Sequence, residues 1–561
     1  MPTDVQLVLP PEVLPPDSDD ATGLVRRAAK KARLAPADIA EARVLRVSFD
    51  ARRRERNWRV SVRLFAHGEE IPPRVADEPR AIAPPAPGAP RALVVGAGPC
   101  GLFGALEFLR RGWHVTVLER GRDVRTRRRP LRAIQRGEGI DPDSNYCFGE
   151  GGAGTYSDGK LYTRSGSKKD VRRVLASLVE HGAPRSILVS WRPHIGSNKL
   201  PGVVTRLRES IEAAGGVVRF GARVEELVVE AGRVRGVVVR DLDARTQSTL
   251  EADAVVLATG HSAPDALDLA QHAGAQLEAK GFAMGVRIEH PQRWLDEHQY
   301  GGLRESCDLP ASFYELATET DERGVWSFCM CPGGFIVPAG TVFGRSVVNG
   351  MSLSRRDSPY ANSGLVIGIE PEDWCGERGL EWGWKELLER ALDAGEDVPT
   401  ELPRTRADAP RFGEALQRAL ERVAGVAGGG SNRAPAQRVD AFLGGPGGDL
   451  ELRPTSYVPG LVGTDLWTVL PRGMAERLCK GIAALDRKLP GFGGPEGLLV
   501  GVESRTSSPV RLARSAETLE SPTLPGLFPA GEGAGFAGGI VSAALDGERV
   551  ARAVVATHSP R

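Results

Sequence analysis

A turn of three glycines between a predicted strand and a predicted helix constrains this chain more than any other feature. The strand from Arg91 to Val95 is apolar, and the helix from Leu102 to Leu109 has one apolar face. Between them lies the spacing GxGxxG, formed by Gly96, Gly98 and Gly101. The first glycine permits a tight turn, the second lets backbone approach a pyrophosphate, and the third packs helix on strand. The sequence therefore predicts a Rossmann-type strand–helix–strand unit.

An acidic residue follows the next strand, where such a unit binds a ribose. His114 to Leu118 is a second apolar strand, and Glu119 follows it roughly 20 residues after the glycine turn. A carboxylate there can accept hydrogen bonds from ribose hydroxyls. Because NAD and FAD are both bound by this unit, these residues leave the dinucleotide open.

Two later segments select FAD, because their arrangement is similar to that of glutathione-reductase-like flavoproteins. The strand from Asp253 ends in Thr259 and Gly260, and the strand from Pro525 ends in Gly531 and Glu532. In those flavoproteins the last acidic residue binds the ribityl chain, and many relatives have Asp where this chain has Glu. The next helix points its N-terminus at the flavin, where amide groups stabilise negative charge.

A fourth segment, Cys147 to Leu161, is rich in glycine, which lets backbone lie against a flat ring or a phosphate. With Pro193 to Leu200, Gly501 to Arg511 and Cys329 to Gly334, it closely resembles the bacterial family catalogued as uncharacterised FAD-dependent dehydrogenases, or NAD(P)/FAD-dependent oxidoreductases. The resemblance runs from about residue 90 to the end and covers the N-terminal domain more loosely.

The resemblance implies an FAD-binding oxidoreductase but names no substrate. It implies cofactor positions at Gly96, Gly98, Pro99, Gly101, Glu119, Arg120, Gly151, Gly152, Val224, Thr259, Gly260, Gly531 and Glu532. Val224 is included because relatives contact adenine through backbone at this point. No second GxGxxG follows a strand and opens a helix, so we expect no separate NAD(P)-binding domain. NAD(P)H, as a diffusible co-substrate, would reach the flavin from the substrate side.

The predicted fold class is α/β, with a Rossmann-type FAD-binding domain, an inserted α+β domain and a small N-terminal α/β domain. A proline-rich stretch marks the first boundary. Within the FAD-binding domain, Val217 to Arg223 and Arg233 to Arg240 are predicted to pair as a hairpin. The predicted segments are an N-terminal domain (1–80), a linker (81–90), the first part of the FAD-binding domain (91–270), a substrate or cap domain (271–490) and a closing FAD-binding segment (491–561).

Four side chains are candidates for chemistry near the flavin. Lys160 and His194 are the predicted catalytic residues, as proton donors or as ligands of an acidic substrate. The alternatives are a loop- or phosphate-stabilising role for Lys160 and, favoured for His194, a structural one. Cys329 and Cys331 point to one face of an extended segment. The alternatives for this pair are a redox couple, half of a metal site and, as we favour, thiols packed beneath the substrate pocket. We predict no metal site.

Composition favours a small-molecule partner and a cytoplasmic enzyme. The 73 basic and 72 acidic residues nearly cancel, so we do not expect nucleic acid or a membrane surface as the main partner. Seven cysteines without a CxxC pair fit reduced thiols, and the N-terminus has no signal-peptide pattern. The arginine clusters at Arg52 to Arg56 and Arg120 to Arg136 are interpreted as solvated or cofactor-facing surfaces.

The primary hypothesis is therefore hydride transfer between a small organic substrate and FAD, with NAD(P)H, quinone or oxygen as the electron partner. One alternative is a flavoprotein linked to RNA modification or binding through its N-terminal domain. Another is a non-catalytic flavoprotein that senses redox state.

Overall fold

A computed structural model describes residues 2–51 and 56–558 of the chain, which form a mixed α/β fold. Of the predicted arginine cluster Arg52 to Arg56, the first four residues lie outside the described residues. Among the helices of the described ranges, none is long and apolar enough to cross a membrane.

The first sheet is small and antiparallel, with strand order β1-β3-β2. Alternate residues of β3, including Val60 and Val62, are fully buried, because the strand packs one face against Ala28 of the helix. Backbone hydrogen bonds between Val47 and the segment from Val189 to Trp191 attach this sheet to the rest of the chain. Its elements are β1 (Thr3–Leu9), α1 (Val25–Ala32), β2 (Ile39–Asp50) and β3 (Asn57–Ala66).

The second region alternates strands and helices around the predicted glycine turn. Its elements are β4 (Arg91–Val95), α2 (Pro99–Arg110), β5 (His114–Leu118), α3 (Val124–Gln135), α4 (Lys168–Glu180), α5 (Leu200–Ala213), β6 (Val217–Arg219), β7 (Ala222–Glu230), β8 (Arg233–Asp241), β9 (Gln247–Glu251), β10 (Ala254–Leu257) and α6 (Pro264–His272). Strands β7, β8 and β9 form an antiparallel sheet of their own.

The third region contains a seven-stranded, mainly antiparallel sheet covered by helices. Its elements are β11 (Leu277–Ala279), β12 (Phe282–Pro291), α7 (Gln292–Tyr300), α8 (Leu303–Ser306), β13 (Ala317–Thr320), β14 (Arg323–Cys331), β15 (Gly334–Pro338), β16 (Val348–Ser352), β17 (Tyr360–Ile369), α9 (Gly376–Trp382), α10 (Trp384–Asp393), α11 (Phe412–Ala427), β18 (Ala434–Arg438), α12 (Val439–Leu443), β19 (Leu461–Gly463), α13 (Arg472–Asp486) and β20 (Leu498–Glu503). The strand order is β13-β14-β17-β12-β20-β18-β19, so β12 is central and its first nine residues are buried.

The last segment returns to the glycine-turn region. It comprises β21 (Val510–Leu512), β22 (Leu527–Pro529) and α14 (Ile540–His558). Strand β22 pairs with β10 and completes a parallel sheet of order β22-β10-β4-β5-β6. Helix α14 crosses α2 so closely that a Cβ on Gly547 would overlap the carbonyl oxygen of Cys100. The predicted α/β fold class with a Rossmann-type domain is confirmed.

The predicted hairpin is wrong in its first strand. Val217–Arg219 pairs in parallel with β5 as the edge of the Rossmann sheet, whereas Ala222–Glu230 pairs with Arg233–Asp241. Gly221, with φ +62°, turns the chain between the two sheets. The apolar alternation continues across this glycine, so the sequence shows one strand where the structure has two.

Candidate functional site

A cavity of about 770 Å³ lies between the carboxyl ends of the parallel strands and the seven-stranded sheet. Open α/β sheets bind ligands at this end, where the strand order reverses. In this sheet the reversal lies between β4 and β10. Of the predicted site residues, Gly96, Gly98, Pro99, Glu119, Arg120, Gly152, Lys160, Val224, Thr259, Gly260 and Glu532 line the cavity.

The three glycines of the turn have different surroundings. Gly96 adopts φ +108°, and a Cβ there would overlap the carbonyl oxygen of Ala258. A Cβ on Gly101 would overlap the carbonyl oxygen of Gly96, so this glycine sets the contact between α2 and the turn. A Cβ on Gly98 would meet no described heavy atom within 4 Å, because the residue faces the cavity. Gly98 therefore leaves room for a ligand, and Gly101 supports the turn from behind.

Glu119 connects three segments of the site. Its side chain is buried, and its two carboxylate oxygens accept hydrogen bonds from the amides of Ala97 (2.9 Å), Gly121 (2.8 Å) and Gly149 (3.0 Å). A carboxylate offers about four acceptor positions, which leaves room for one further donor. Glu119 thus fixes the turn and the loop from Gly149 while still lining the cavity.

The glycine-rich loop lies directly on the glycine turn. The Gly151 amide donates to the carbonyl oxygen of Ala97 over 2.8 Å, and a Cβ on Gly152 would lie 3.3 Å from Cα of Gly98. A Cβ on Gly151 would overlap Oγ1 of Thr155. Gly152 is therefore a direct lining residue, and Gly151 permits the fold of the loop.

Three of the arginines between Arg120 and Arg136 are engaged within the protein, namely Arg120, Arg122 and Arg127, and the other five are exposed. Arg120 is paired with Asp143 and Asp265, both at 2.7 Å, and lies over the ring of Phe148. Arg127 is fully buried and donates to the backbone carbonyl oxygens of Asn145, Tyr146, Glu150 and Gly152. Arg120 and Arg127 therefore support the loop, and the expectation that nucleic acid is not the main partner stays a prediction.

The ends of β10 and β22 meet at the other side of the turn. A Cβ on Gly533 would overlap the carbonyl oxygen of Gly260, so the two strand ends are in backbone contact. Glu532 is 25% exposed and lies 3.3 Å from Nδ1 of His261. The amide of Gly531 donates to Asp546 over 2.8 Å, so this glycine supports the site without lining it.

Two further elements enclose the cavity. The first turn of the 19-residue helix α14 lines it from Ile540 to Ala543, preceded by Gly538 and Gly539. Its positive end can stabilise negative charge on a bound ring. Val224 lines the opposite end, beyond Glu119. The unobstructed second glycine, the two acidic side chains and this helix end fit an FAD, whose pyrophosphate Gly98 would accommodate and whose reduced ring the start of α14 would stabilise.

Lys160 lies in the cavity within a charged cluster. Its Nζ is 2.9 Å from Asp158, which also accepts from Arg356 over 2.7 Å and from the hydroxyl of Ser352. Burial alone would raise the pKa of Asp158, but Lys160 and Arg356 outweigh it and lower that pKa to about 2. Burial opposes the charge of Lys160, yet Asp158 raises the pKa of the lysine above its usual value. Lys160 therefore presents a permanent positive charge to the cavity.

His194 lies behind Lys160 and does not line the cavity. The two residues face each other as an antiparallel bridge, and backbone hydrogen bonds join their neighbours, as from Leu161 to Pro193. Burial, followed by the charge of Arg356, lowers the pKa of His194 to about 4. Its Nε2 is buried and finds no hydrogen-bond partner among the residues that the structure describes. The geometry thus brings Lys160 into the cavity, and a catalytic role for His194 stays a prediction.

The structure adds residues that sequence reasoning missed. Arg356 joins the cluster from a loop that carries no recognisable motif. Arg287 is fully buried in β12 and forms an ion pair with Glu503 at 2.6 Å. A charged residue within an otherwise apolar run was the signal that could have revealed Arg287. Within the described ranges, no three His, Cys, Asp or Glu side chains are arranged to hold a metal ion.

Comparisons with family models match three parts of the chain. Residues 149–286 match an FAD binding domain, residues 281–506 match the model described as FAD-dependent protein, C-terminal domain-like, and residues 1–65 match a domain of unknown function. An uncharacterized protein of Clostridium beijerinckii is 37% identical over 561 residues, covering 96% of both chains.

Three solved structures show a distant likeness to this chain. CtdE in complex with FAD is 12% identical, covering 83% of this chain and 84% of its own, with a TM-score of 0.30. A 3-ketosteroid-Δ4-(5α)-dehydrogenase of Rhodococcus jostii RHA1 is 16% identical, covering 84% of this chain and 99% of its own, with a TM-score of 0.33. The myxobacterial chondrochloren halogenase CndH is 14% identical, covering 85% of this chain and 76% of its own, also with a TM-score of 0.33.

Proposed function

Because this chain belongs to the bacterial family of FAD-dependent proteins that includes the Clostridium relative, we propose that it is an oxidoreductase that transfers a hydride between a small organic substrate and FAD. FAD is its cofactor. The observation that carries the proposal is the continuity of the cavity, which runs from the glycine turn past the start of α14 to Lys160 and the end of β14. A ring bound beside α14 would therefore share one chamber with the substrate.

The far part of the chamber combines aromatic walls with positive charge. Tyr314, Trp326 and Phe328 supply apolar surface, and Lys160 and Arg356 supply the cations. Because Asp158 holds both cations in place, their positions are fixed before a substrate enters. Such a chamber suits a small molecule with an apolar body and a carbonyl or carboxylate oxygen.

Lys160 has the clearest role among these residues. Bound FAD supplies a two-electron acceptor or donor. The ammonium group of Lys160 would bind the substrate oxygen and stabilise the negative charge that develops there during hydride transfer. We further propose that NAD(P)H is the electron partner and that it enters from this side as a diffusible co-substrate, because no second GxGxxG in the sequence follows a strand and opens a helix.

Anaerobic mixing of the holoprotein with NADH and with NADPH, followed at the flavin absorbance band, tests this function. The expected result is a rapid bleach with one of the two, and a reoxidation that an organic acceptor accelerates. Lys160→Met is expected to slow the acceptor step about 100-fold or more and to leave FAD content unchanged. A protein without flavin absorbance, or with FAD that neither NAD(P)H nor dithionite reduces, would contradict the proposal.

A further inference from the structure

Two cysteines lie beside the charged cluster at the end of β14. Cys329 is half-buried and lines the cavity, whereas Cys331 is fully buried behind it. The pairing of β14 with β17 shifts register between Phe328 and Cys331, so the strand bulges at this point. Cys329 adopts φ +46°, a left-handed conformation that a residue with a side chain rarely adopts. Such local distortion is concentrated at functional sites.

At this bulge, both thiols lie beside one ammonium group. Nζ of Lys160 lies 3.6 Å from Sγ of Cys329 and 3.4 Å from Sγ of Cys331. Sγ of Cys331 also donates a hydrogen bond to the carbonyl oxygen of Cys329 over 3.3 Å. Both sulfurs of this i, i+2 pair therefore lie within 3.6 Å of one nitrogen atom, which keeps them close to each other.

A second cation supports the pair from within the sheet. Arg287 donates to the carbonyl oxygen of Cys329 over 2.9 Å and lies 3.6 Å from Sγ of Cys331. The hydrogen bond from Cys331, together with the charges of Lys160 and Arg287, lowers the pKa of Cys329 below that of a free thiol against the effect of burial. The same coupling raises the pKa of Cys331. Of the two thiols, Cys329 therefore loses its proton first and Cys331 retains its own.

We propose that Cys329 and Cys331 form a dithiol–disulfide centre that exchanges two electrons with FAD. The Cys329 thiolate and the Cys331 thiol lose two electrons and one proton as the Sγ–Sγ bond forms. Both electrons and the proton pass to oxidised FAD, which becomes its anionic two-electron-reduced form, so charge and atoms balance. The reverse step reduces the disulfide. The inference rests on FAD in the shared cavity and not on the substrate reaction proposed above.

Anaerobic titration of the air-oxidised holoprotein with dithionite counts the electrons that the protein accepts. The centre predicts that the wild type consumes twice as many electrons per FAD as Cys331→Ser, because FAD and a disulfide each accept two. Cys479→Ser is the matched control: this cysteine lies on α13, outside the cavity lining, and its variant is expected to behave as the wild type. Equal consumption by wild type and Cys331→Ser would overturn the inference.

Counting thiols in the wild type requires no variant and no turnover. Alkylation under denaturing conditions is expected to label five of the seven cysteines in the oxidised holoprotein and all seven after dithiothreitol treatment. Mass spectrometry is expected to locate the two protected sulfurs at Cys329 and Cys331. Seven labelled cysteines in both states, or protection elsewhere, would overturn the inference. Because neither measurement uses a substrate or NAD(P)H, the proposed hydride transfer can fail independently.

Discussion

At the scale of single residues, Gly98 serves ligand binding, whereas Gly101 serves the folding of the glycine turn. A Cβ on Gly101 would overlap the carbonyl oxygen of Gly96, whereas one on Gly98 projects into the cavity. We expect Gly101→Ala to lower the free energy of unfolding of the FAD-free protein by about 1–3 kcal/mol. Gly98→Ala is expected to leave that free energy near the wild-type value and to weaken FAD binding about tenfold or more. Denaturant unfolding and FAD titration of both variants check this, and identical behaviour of the two would contradict it.

His194 predicts a specific pH dependence of stability. Its pKa falls from 6.5 to about 4 on folding, so the unfolded chain binds an additional proton between these values. Stability from this group is therefore full above pH 6.5 and is lost as the pH falls toward 4, by about 3 kcal/mol in total. His194→Gln is expected to show a correspondingly smaller loss of unfolding free energy over this range. His67→Gln, on an exposed turn, serves as the control, and parallel curves for His194→Gln and wild type would contradict the prediction.

Within the charged cluster, the position of Lys160 could be predicted from the sequence, but its contacts could not. Lys160 was predicted because it lies in the glycine-rich loop, and the structure places it in the cavity. Its charge state depends on Asp158 and on Arg356, which comes from a distant loop. The lining role of Cys329 depends on a bulge. Neither the contact with Arg356 nor the bulge leaves a periodic pattern in the sequence, so neither could be predicted, although the sequence does indicate a place for Cys329 near the substrate pocket.

At the scale of elements, helix α14 is expected to tune the flavin. Its first turn lines the cavity, where the helix end carries partial positive charge. A negative charge there opposes reduction, so Ser542→Asp is expected to make the midpoint potential of FAD more negative than Ser542→Asn by about 5–20 mV. The two variants differ in charge and hardly in size. Equal potentials, measured by redox titration, would show that the helix end does not act on the ring.

Elements were predictable where their pairing is local. The strand, turn and helix around Gly96 follow from spacing, because consecutive βαβ elements pack in one way. The break at Gly221 was missed because two short apolar strands in different sheets follow each other without a polar gap. The central strand β12 pairs with β17 and β20, which are far away in the chain, so its position depends on tertiary contacts.

At the scale of the whole molecule, the cofactor site connects segments from both ends of the chain. The cavity is lined by residues after β4, β5 and β10 and by the start of α14. Ligand that binds only the folded state stabilises it, by about 2.7 kcal/mol at 100 times the dissociation constant. We expect removal of FAD to increase amide hydrogen exchange in residues 149–165 and 530–545. The sheet β1–β3 contributes no lining residue and is expected to exchange unchanged, and a uniform increase over all three regions would contradict this.

The α/β class and the FAD cofactor were predictable for the whole chain because they depend on three short segments with defined spacing. The strand order of the middle region could not be predicted, because its seven-stranded sheet pairs strands that are far apart in the chain, between Phe282 and Glu503. That sheet supplies the substrate side of the cavity. The part of the site that binds cofactor was therefore derived from the sequence in more detail than the part that faces the substrate.

A structure of the protein loaded with FAD would show whether the cofactor binds in this cavity with its ring beside the end of β14. We expect the pyrophosphate at Gly98, a ribityl hydroxyl on Glu532, and the flavin ring between α14 and the Lys160 cluster, in contact with Cys329. An FAD whose ring points away from β14, or that lies outside the 770 Å³ cavity, would contradict a chamber shared by the flavin and the substrate.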